Sequence, residues 1–376
     1  MLGNKQIKKS VILTIAVITI FFALCIGETS GSTGTGSISS ENLTQLSASS
    51  QNSDKLYGID FSPYIDGQNP NYGSKVDREQ VIERLTIIAP HTTWIRTYGT
   101  ENGLEYIGPV AHELGLKTAI GAWLSSDTEA NDRQINELIN ESKNGYVDLA
   151  IVGSETLLRN DLSEDQLIEY IRRVKQAVPG INVTTADTYS ELLNHPRVMA
   201  ECDVVMYNSY PYWEGTSIDS AIEVQDNVYK SIADQINNKP IIVSETGWPS
   251  AGNTIESAVP SPENSARYFN DFVSWARKNN VQYFYFEAFD ETWKANYEGP
   301  QGAHWGIWDK DGNLKPRMET ILSGESETKE INETDAESEE PVSKLDTGLK
   351  ESMSSPSFGI IYGLVGLLAV FLYRRK

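Results

Sequence analysis

Between residues 56 and 290, short apolar runs alternate with longer stretches of mixed polar and apolar residues, and the alternation repeats eight times. The short runs are LYGIDFSPY (56–64), TTWIRTYG (92–99), KTAIGAWL (117–124), YVDLAIVGSE (146–155), INVTTADTY (181–189), CDVVMYNSYPY (202–212), KPIIVSETGW (239–248) and VQYFYFEAFD (281–290). Their length and their content of β-branched and aromatic residues predict strands. The intervening stretches carry helical periodicity, clearest in DREQVIERLTIIA (77–89) and SEDQLIEYIRRVKQAV (163–178). The second opens with Ser163 as N-cap and Gln166 three residues on, a capping-box signature. NSARYFNDFVSWARKN (264–279) is a further helix, preceded by Pro262.

Strand and helix in regular alternation imply parallel strands, and nearly continuous apolar runs imply strands buried on both faces. Over residues 55–322 this predicts an α/β fold, a (β/α)8 TIM barrel forming one catalytic domain. A doubly wound open sheet is the alternative, but no Gly-rich phosphate loop follows the first run. In a barrel the carboxyl ends of the strands point into one mouth. Here they carry Asp60 and Tyr64, Arg96 and Tyr98, Glu155, Asp187 and Tyr189, Asn208 and Tyr210, Glu245, and Glu287 with Asp290.

The flanks change character. Lys5, Lys8 and Lys9 precede VILTIAVITIFFALCIG (11–27), so residues 1–27 read as a secretory signal peptide. A Ser/Thr-rich linker follows (28–54). Residues 323–355 are rich in Glu, Ser and Thr and nearly devoid of large apolar side chains, the composition of a disordered acidic spacer. Residues 356–376 are apolar and end in Arg374, Arg375 and Lys376, as a membrane anchor or sorting helix with its basic end on the cytoplasmic side would. This tail resembles archaeal surface-protein sorting signals, with Pro356-Ser357-Phe358 where those have a Pro-Gly-Phe-like motif. The resemblance implies a protein held at the cell surface. A net charge of −21 argues against nucleic acid and polyanionic partners. With the signal removed only Cys202 remains, which excludes an intramolecular disulfide and a Cys-type zinc site. Asn42, Asn140, Asn182 and Asn332 head Asn-x-Ser/Thr triplets that permit glycosylation.

Two of the predicted strands end in the same tripeptide, Ser-Glu-Thr, around Glu155 and Glu245. On the fourth and seventh strands these carboxyls face one mouth, an arrangement that suits glycoside hydrolysis. One acid, kept protonated, donates to the leaving oxygen, and the other attacks or stabilises the oxocarbenium-like centre. A strand-end Glu also serves as an ion-pair partner or a helix cap, so neither residue alone carries the chemistry.

The segments AIVGSETLLRND and VSETGWPSAG resemble the acid/base and nucleophile segments of glycoside hydrolase family 17, in its fungal-type branch. FYFEAFDETWK, HWGIWDKDGNLKP, IRTYG and YGIDFSPY agree with the same family in the right order. The resemblance implies a retaining barrel enzyme that hydrolyses or transfers β-1,3-glucan chains, with Glu155 as acid/base and Glu245 as nucleophile. Retention implies carboxyls about 5 Å apart. Related enzymes have Asn before the acid/base, holding the sugar 2-hydroxyl; Ser154 stands there in this chain, and Asn208 is a candidate substitute.

Tyr210 is placed to donate to Glu245, with a core aromatic role as its alternative. Trp248 is a candidate sugar platform, extended by Tyr64, Tyr98, Tyr212 and Trp213. Glu287, Asp290, Glu291 and Lys294 can form a hydrogen-bonding floor for sugar hydroxyls or a charge network that stabilises the eighth loop and tunes the catalytic pair, and a mixed role is expected, with Glu287 the best substrate contact. Asp187 binds a hydroxyl or caps a helix. Four histidines without recurrent spacing make no metal site, and the retaining mechanism needs no cofactor. The expected partners are a β-glucan polysaccharide or oligosaccharide and the membrane. Short loops after the strands point to an open cleft and to transfer or short products. A non-catalytic surface carbohydrate-binding protein and a barrel glycosidase for another β-linkage are the competing readings.

Overall fold

The computed structural model describes residues 55–236 and 238–323. Strands β1 Leu56–Asp60, β2 Thr92–Arg96, β3 Lys117–Ala122, β4 Leu149–Ser154, β5 Asn182–Thr188, β6 Val205–Asn208, β7 Ile241–Glu245 and β8 Gln282–Tyr283 lie in one parallel sheet in chain order. The sheet closes on itself where Ile59 bridges Tyr285 in parallel and Asp60 N donates to Tyr285 O at 3.0 Å. Closure makes a barrel and removes the open-sheet alternative. The signal, linker, spacer and anchor segments lie outside the described residues.

Helices α1 Arg78–Ile88, α2 Ile107–Glu113, α3 Thr128–Lys143, α4 Glu164–Ala177, α5 Tyr189–Asn194, α6 Pro196–Glu201, α7 Ala221–Ala233 and α8 Pro262–Asn279 connect the strands. The capping box at α4 is formed: Ser163 Oγ accepts from Gln166 N at 3.4 Å, and Gln166 Oε1 accepts from Ser163 N at 2.9 Å. Helix α8 starts earlier than the apolar period indicates. Pro262 occupies its first turn, where a missing N–H costs nothing, and Ser261 caps it.

The core has two layers. Ala119, Leu149, Ile151, Ala186, Val204, Met206, Ile242 and Phe284 fill the barrel interior, and the larger cluster lies between the strands' outer faces and the helices. Toward the carboxyl ends of the strands, buried polar residues take over: Asp60, Arg96, Ser154, Asn208, Ser244 and Glu245. The eighth run departs from expectation, because its ladder stops at Tyr283 rather than Asp290. A Cβ on Gly58 would stand 2.5 Å from the Phe284 ring, so the glycine is what lets that ring enter the barrel. The following backbone then bonds alternately to two sides, Phe284 N to Val243 O at 2.8 Å and Tyr285 N to Gly58 O at 3.1 Å.

Candidate active site

Both Ser-Glu-Thr segments sit where a strand gains a residue. Along β4 and β5, Ile151 pairs with Thr184 but Ser154 with Ala186, so the extra residue is on β4. Along β6 and β7, Tyr207 pairs with Val243 but Asn208 with Glu245, so the extra residue is on β7. A bulge interrupts the in-out alternation and re-aims the side chains beyond it, here toward the mouth.

After the β4 bulge the chain turns sharply. Gly153 and Glu155 have φ of 81° and 54°, the second a left-handed conformation that costs an L residue roughly 1–2 kcal/mol. The surroundings hold it. Glu155 N donates to Ala186 O at 2.8 Å, Asp187 Oδ2 accepts from Leu157 N at 2.9 Å, and Arg159 Nη1 donates to Ser154 O at 2.6 Å. Asp187 is fully buried and its other oxygen accepts from Thr188 N, so it anchors the catalytic turn and is closed to a sugar hydroxyl.

The Glu245 carboxylate is clamped. Oε1 accepts from Arg96 Nη1 at 2.7 Å and from Ser154 Oγ at 3.4 Å, and Oε2 accepts from Tyr210 OH at 2.8 Å. Arg96 also reaches Asp60 Oδ1 at 2.9 Å and Tyr98 OH at 3.0 Å. Burial works against the guanidinium charge, but the acidic neighbours Tyr98, Glu245 and Asp60 outweigh it and keep Arg96 protonated. Burial likewise holds the Asp60 carboxyl well above the usual carboxylate range, and its Oδ2 has no partner.

Glu155 has a different setting. Its Oε1 accepts from Asn208 Nδ2 at 2.8 Å, and Asn208 Oδ1 accepts from Ser244 Oγ at 2.6 Å, which fixes the amide's orientation. Burial, then the Glu245 charge, push the Glu155 carboxyl up to about 7 against the opposing pull of Asn208 and Arg159. The Asn208 amide thus spends one of its two N–H donors on the acid.

Several other candidates are withdrawn from the surface. Trp248 is 0 % exposed, with Nε1 on Val259 O and its ring against Tyr212 and Tyr268, so the expected platform is core. Tyr64 and Tyr212 are buried too, while Trp213 keeps an exposed edge and Tyr98 is half-buried. Lys294 bridges Glu287 and Glu291, all three buried; burial keeps Glu287 high, whereas for Glu291 the lysine overcomes burial and holds it low. Asp290 accepts from Lys315 Nζ at 2.6 Å and from Gly306 N at 2.9 Å. Glu287, Glu291 and Lys294 thus form one buried charge cluster and Asp290 with Lys315 another, while Glu287 Oε1 has no hydrogen-bond partner. Sequence reasoning passed over Asp60 and Arg96 as site residues, although both stand in the YGIDFSPY and IRTYG segments. Arg159 gave no signal, because its role is to bond carbonyls.

Residues 58–306 match the BtgE/BtgC glycoside hydrolase domain. The chain belongs to this family. Its relatives include a glucan 1,3-β-glucosidase of Saccharomyces cerevisiae, 28% identical over 68% of this chain and 90% of that protein. Another, from Candida albicans, is 30% identical over 61% of this chain and 83% of that protein. Among solved structures, a glycoside hydrolase family 17 β-1,3-glucanosyltransferase from Rhizomucor miehei is 34% identical, with a TM-score of 0.64 over 72% of this chain and 99% of that one. An active-site mutant of the Rhizomucor miehei β-1,3-glucanosyltransferase has been solved with laminaritriose. Residues 358–376 match the PGF-CTERM motif, an archaeal-type sorting signal that marks a surface-anchored protein. In this glycoside hydrolase, then, one acid near its titration point and one clamped carboxylate share a mouth, the two states that double displacement requires.

Proposed function

We propose that this surface-anchored glycosidase acts on β-1,3-glucan chains with retention, using Glu155 as general acid/base and Glu245 as nucleophile. The observation that carries the assignment is the contrast between the two carboxyls: Glu155 is held at about 7 by burial and the Glu245 charge, whereas Glu245 lies against Arg96 and Tyr210. Glu155 protonates the leaving oxygen while Glu245 forms the bond to the anomeric carbon. Glu155 then takes the proton from water, or from a sugar hydroxyl, as that group displaces Glu245. Tyr210 holds the attacking oxygen's partner atom, and Arg96 balances the charge that forms and vanishes there. The named activities of the relatives support the linkage.

The test is to incubate the full-length protein with a linear β-1,3-gluco-oligosaccharide and follow the anomeric protons of the first products by NMR. Products of β configuration are expected. Initial α products would overturn the retaining assignment, and binding without any cleavage would make the barrel a surface lectin. Products longer than the substrate would assign transfer over hydrolysis.

A further inference from the structure

Trp123 follows β3 directly and is 43 % exposed, on the rim of the mouth. One face of its indole is covered by Arg159, whose Cζ lies 4.3 Å from the ring centroid. That guanidinium is fixed on three sides: Nη1 donates to Ser154 O at 2.6 Å, Nη2 to Leu124 O at 2.9 Å, and Nε to Asp161 Oδ2 at 2.7 Å. Arg159 therefore ties the Glu155 turn to the loop after β3, with Trp123 as its cover. A cation on one face and solvent on the other leave a rigid ring free to stack on the C–H face of a pyranose.

The barrel's topology gives the ring a place in the cleft. A chain lying between Glu155 on β4 and Glu245 on β7 leaves the mouth toward β5 and β6 in one direction and toward β8, β1, β2 and β3 in the other. Trp123 ends the second arc. Only one face of the ring is used, by Arg159.

We propose that the open face of Trp123 is a glucosyl subsite, distal to the reacting sugar, and that a sugar there presses the Trp123–Arg159 stack onto the Ser154–Glu155 turn. The inference rests on the glucan-processing reading above. Long chains then bind more tightly than short ones and also set the acid/base better, so chain length acts on kcat as well as on KM.

The test compares laminarihexaose with laminaritriose on full-length wild type, Trp123→Ala and Trp123→Phe. The ratio of kcat/KM for the longer over the shorter sugar is expected to fall about tenfold in the alanine variant, the scale of one lost aromatic contact, and to stay near wild type in the phenylalanine variant. An unchanged ratio, or an equal loss on both sugars, would reduce Trp123 to packing for Arg159 and overturn the subsite. Calorimetric titration of laminarihexaose judges the subsite separately from turnover. Weaker binding by Trp123→Ala supports it and equal affinity overturns it, even if the wild type cleaves neither sugar and the glycosidase reading falls.

Discussion

The two Ser-Glu-Thr segments share a tripeptide, a preceding apolar strand and a bulge on their own strand, yet they build opposite electrostatic sites. At Glu245 the strand runs on to the glutamate, and the carboxylate meets a buried guanidinium and a phenol. At Glu155 the strand has already ended, the backbone is left-handed, and the carboxyl meets a neutral amide. The charge of one then raises the other. Role is thus assigned by the neighbours on β2 and β6 and not by the motif itself. Shared placement explains why both face the mouth, and unequal pairing explains why the Glu155 carboxyl is pushed up to about 7 while Glu245 lies against a guanidinium.

The comparison breaks first at the nucleophile. Glu245→Gln is expected to lower kcat by on the order of ten-thousandfold or more, because no other group forms the glycosyl bond; initial rates on a β-1,3-gluco-oligosaccharide measure it, and a variant retaining a tenth of the activity would end the assignment. Glu155→Gln should cost about a hundred- to ten-thousandfold. Its pH profile is more telling than its size. A general acid must carry its proton, so wild-type kcat/KM should fall as pH rises through about 7, the value to which burial and the Glu245 charge lift Glu155. The variant should lose that limb. The same upward shift from 4.5 makes Glu155's contribution to folding stability largest at low pH, lost as pH climbs to about 7.

The barrel could be read from the chain because parallel strands buried on both faces leave a strong signal, and each of the eight runs contains a strand, although the eighth ladder is cut short at Tyr283. The carboxyl pair was equally legible, since a carboxylate at the end of an apolar run is costly to bury unless a partner or a substrate meets it there. What could not be read was the direction of side chains one turn away from the pair. Trp248 stands three residues past Glu245 in a loop that folds back under α8, where Ser265 Oγ donates to its carbonyl at 2.8 Å, so its ring goes to the core. Asp187 looks like any strand-end acid until the left-handed turn at Glu155 demands an anchor for Leu157 N. Arg96 and Asp60 could be placed at the mouth as strand ends, but not their pairing, which spans neighbouring strands and the far side of the barrel.

A smaller change sharpens the nucleophile side alone. Tyr210→Phe removes one charge-assisted hydrogen bond to Glu245, worth about 1.5–3 kcal/mol, and should lower kcat by about ten- to a hundredfold. Because Arg96 still neutralises Glu245, the charge that Glu155 senses is unchanged, and the alkaline limb should stay near pH 7. Rates measured across the pH range separate these two effects.

Asn208→Ala is the converse and the mildest of the set. It deletes the donor that favours the ionised form of Glu155 and leaves the Glu245 clamp intact. The carboxyl then keeps its proton to higher pH, so the alkaline limb should move upward while the rate on its acid side changes by no more than a few-fold, the scale of one hydrogen bond traded for solvent. The pair of variants therefore forms a crossed test: one lowers the rate without moving the limb, the other moves the limb with little loss of rate. Were Tyr210→Phe to shift the limb and Asn208→Ala to leave it fixed, the titrating acid would be Glu245, and the roles drawn from the neighbours would have to be exchanged.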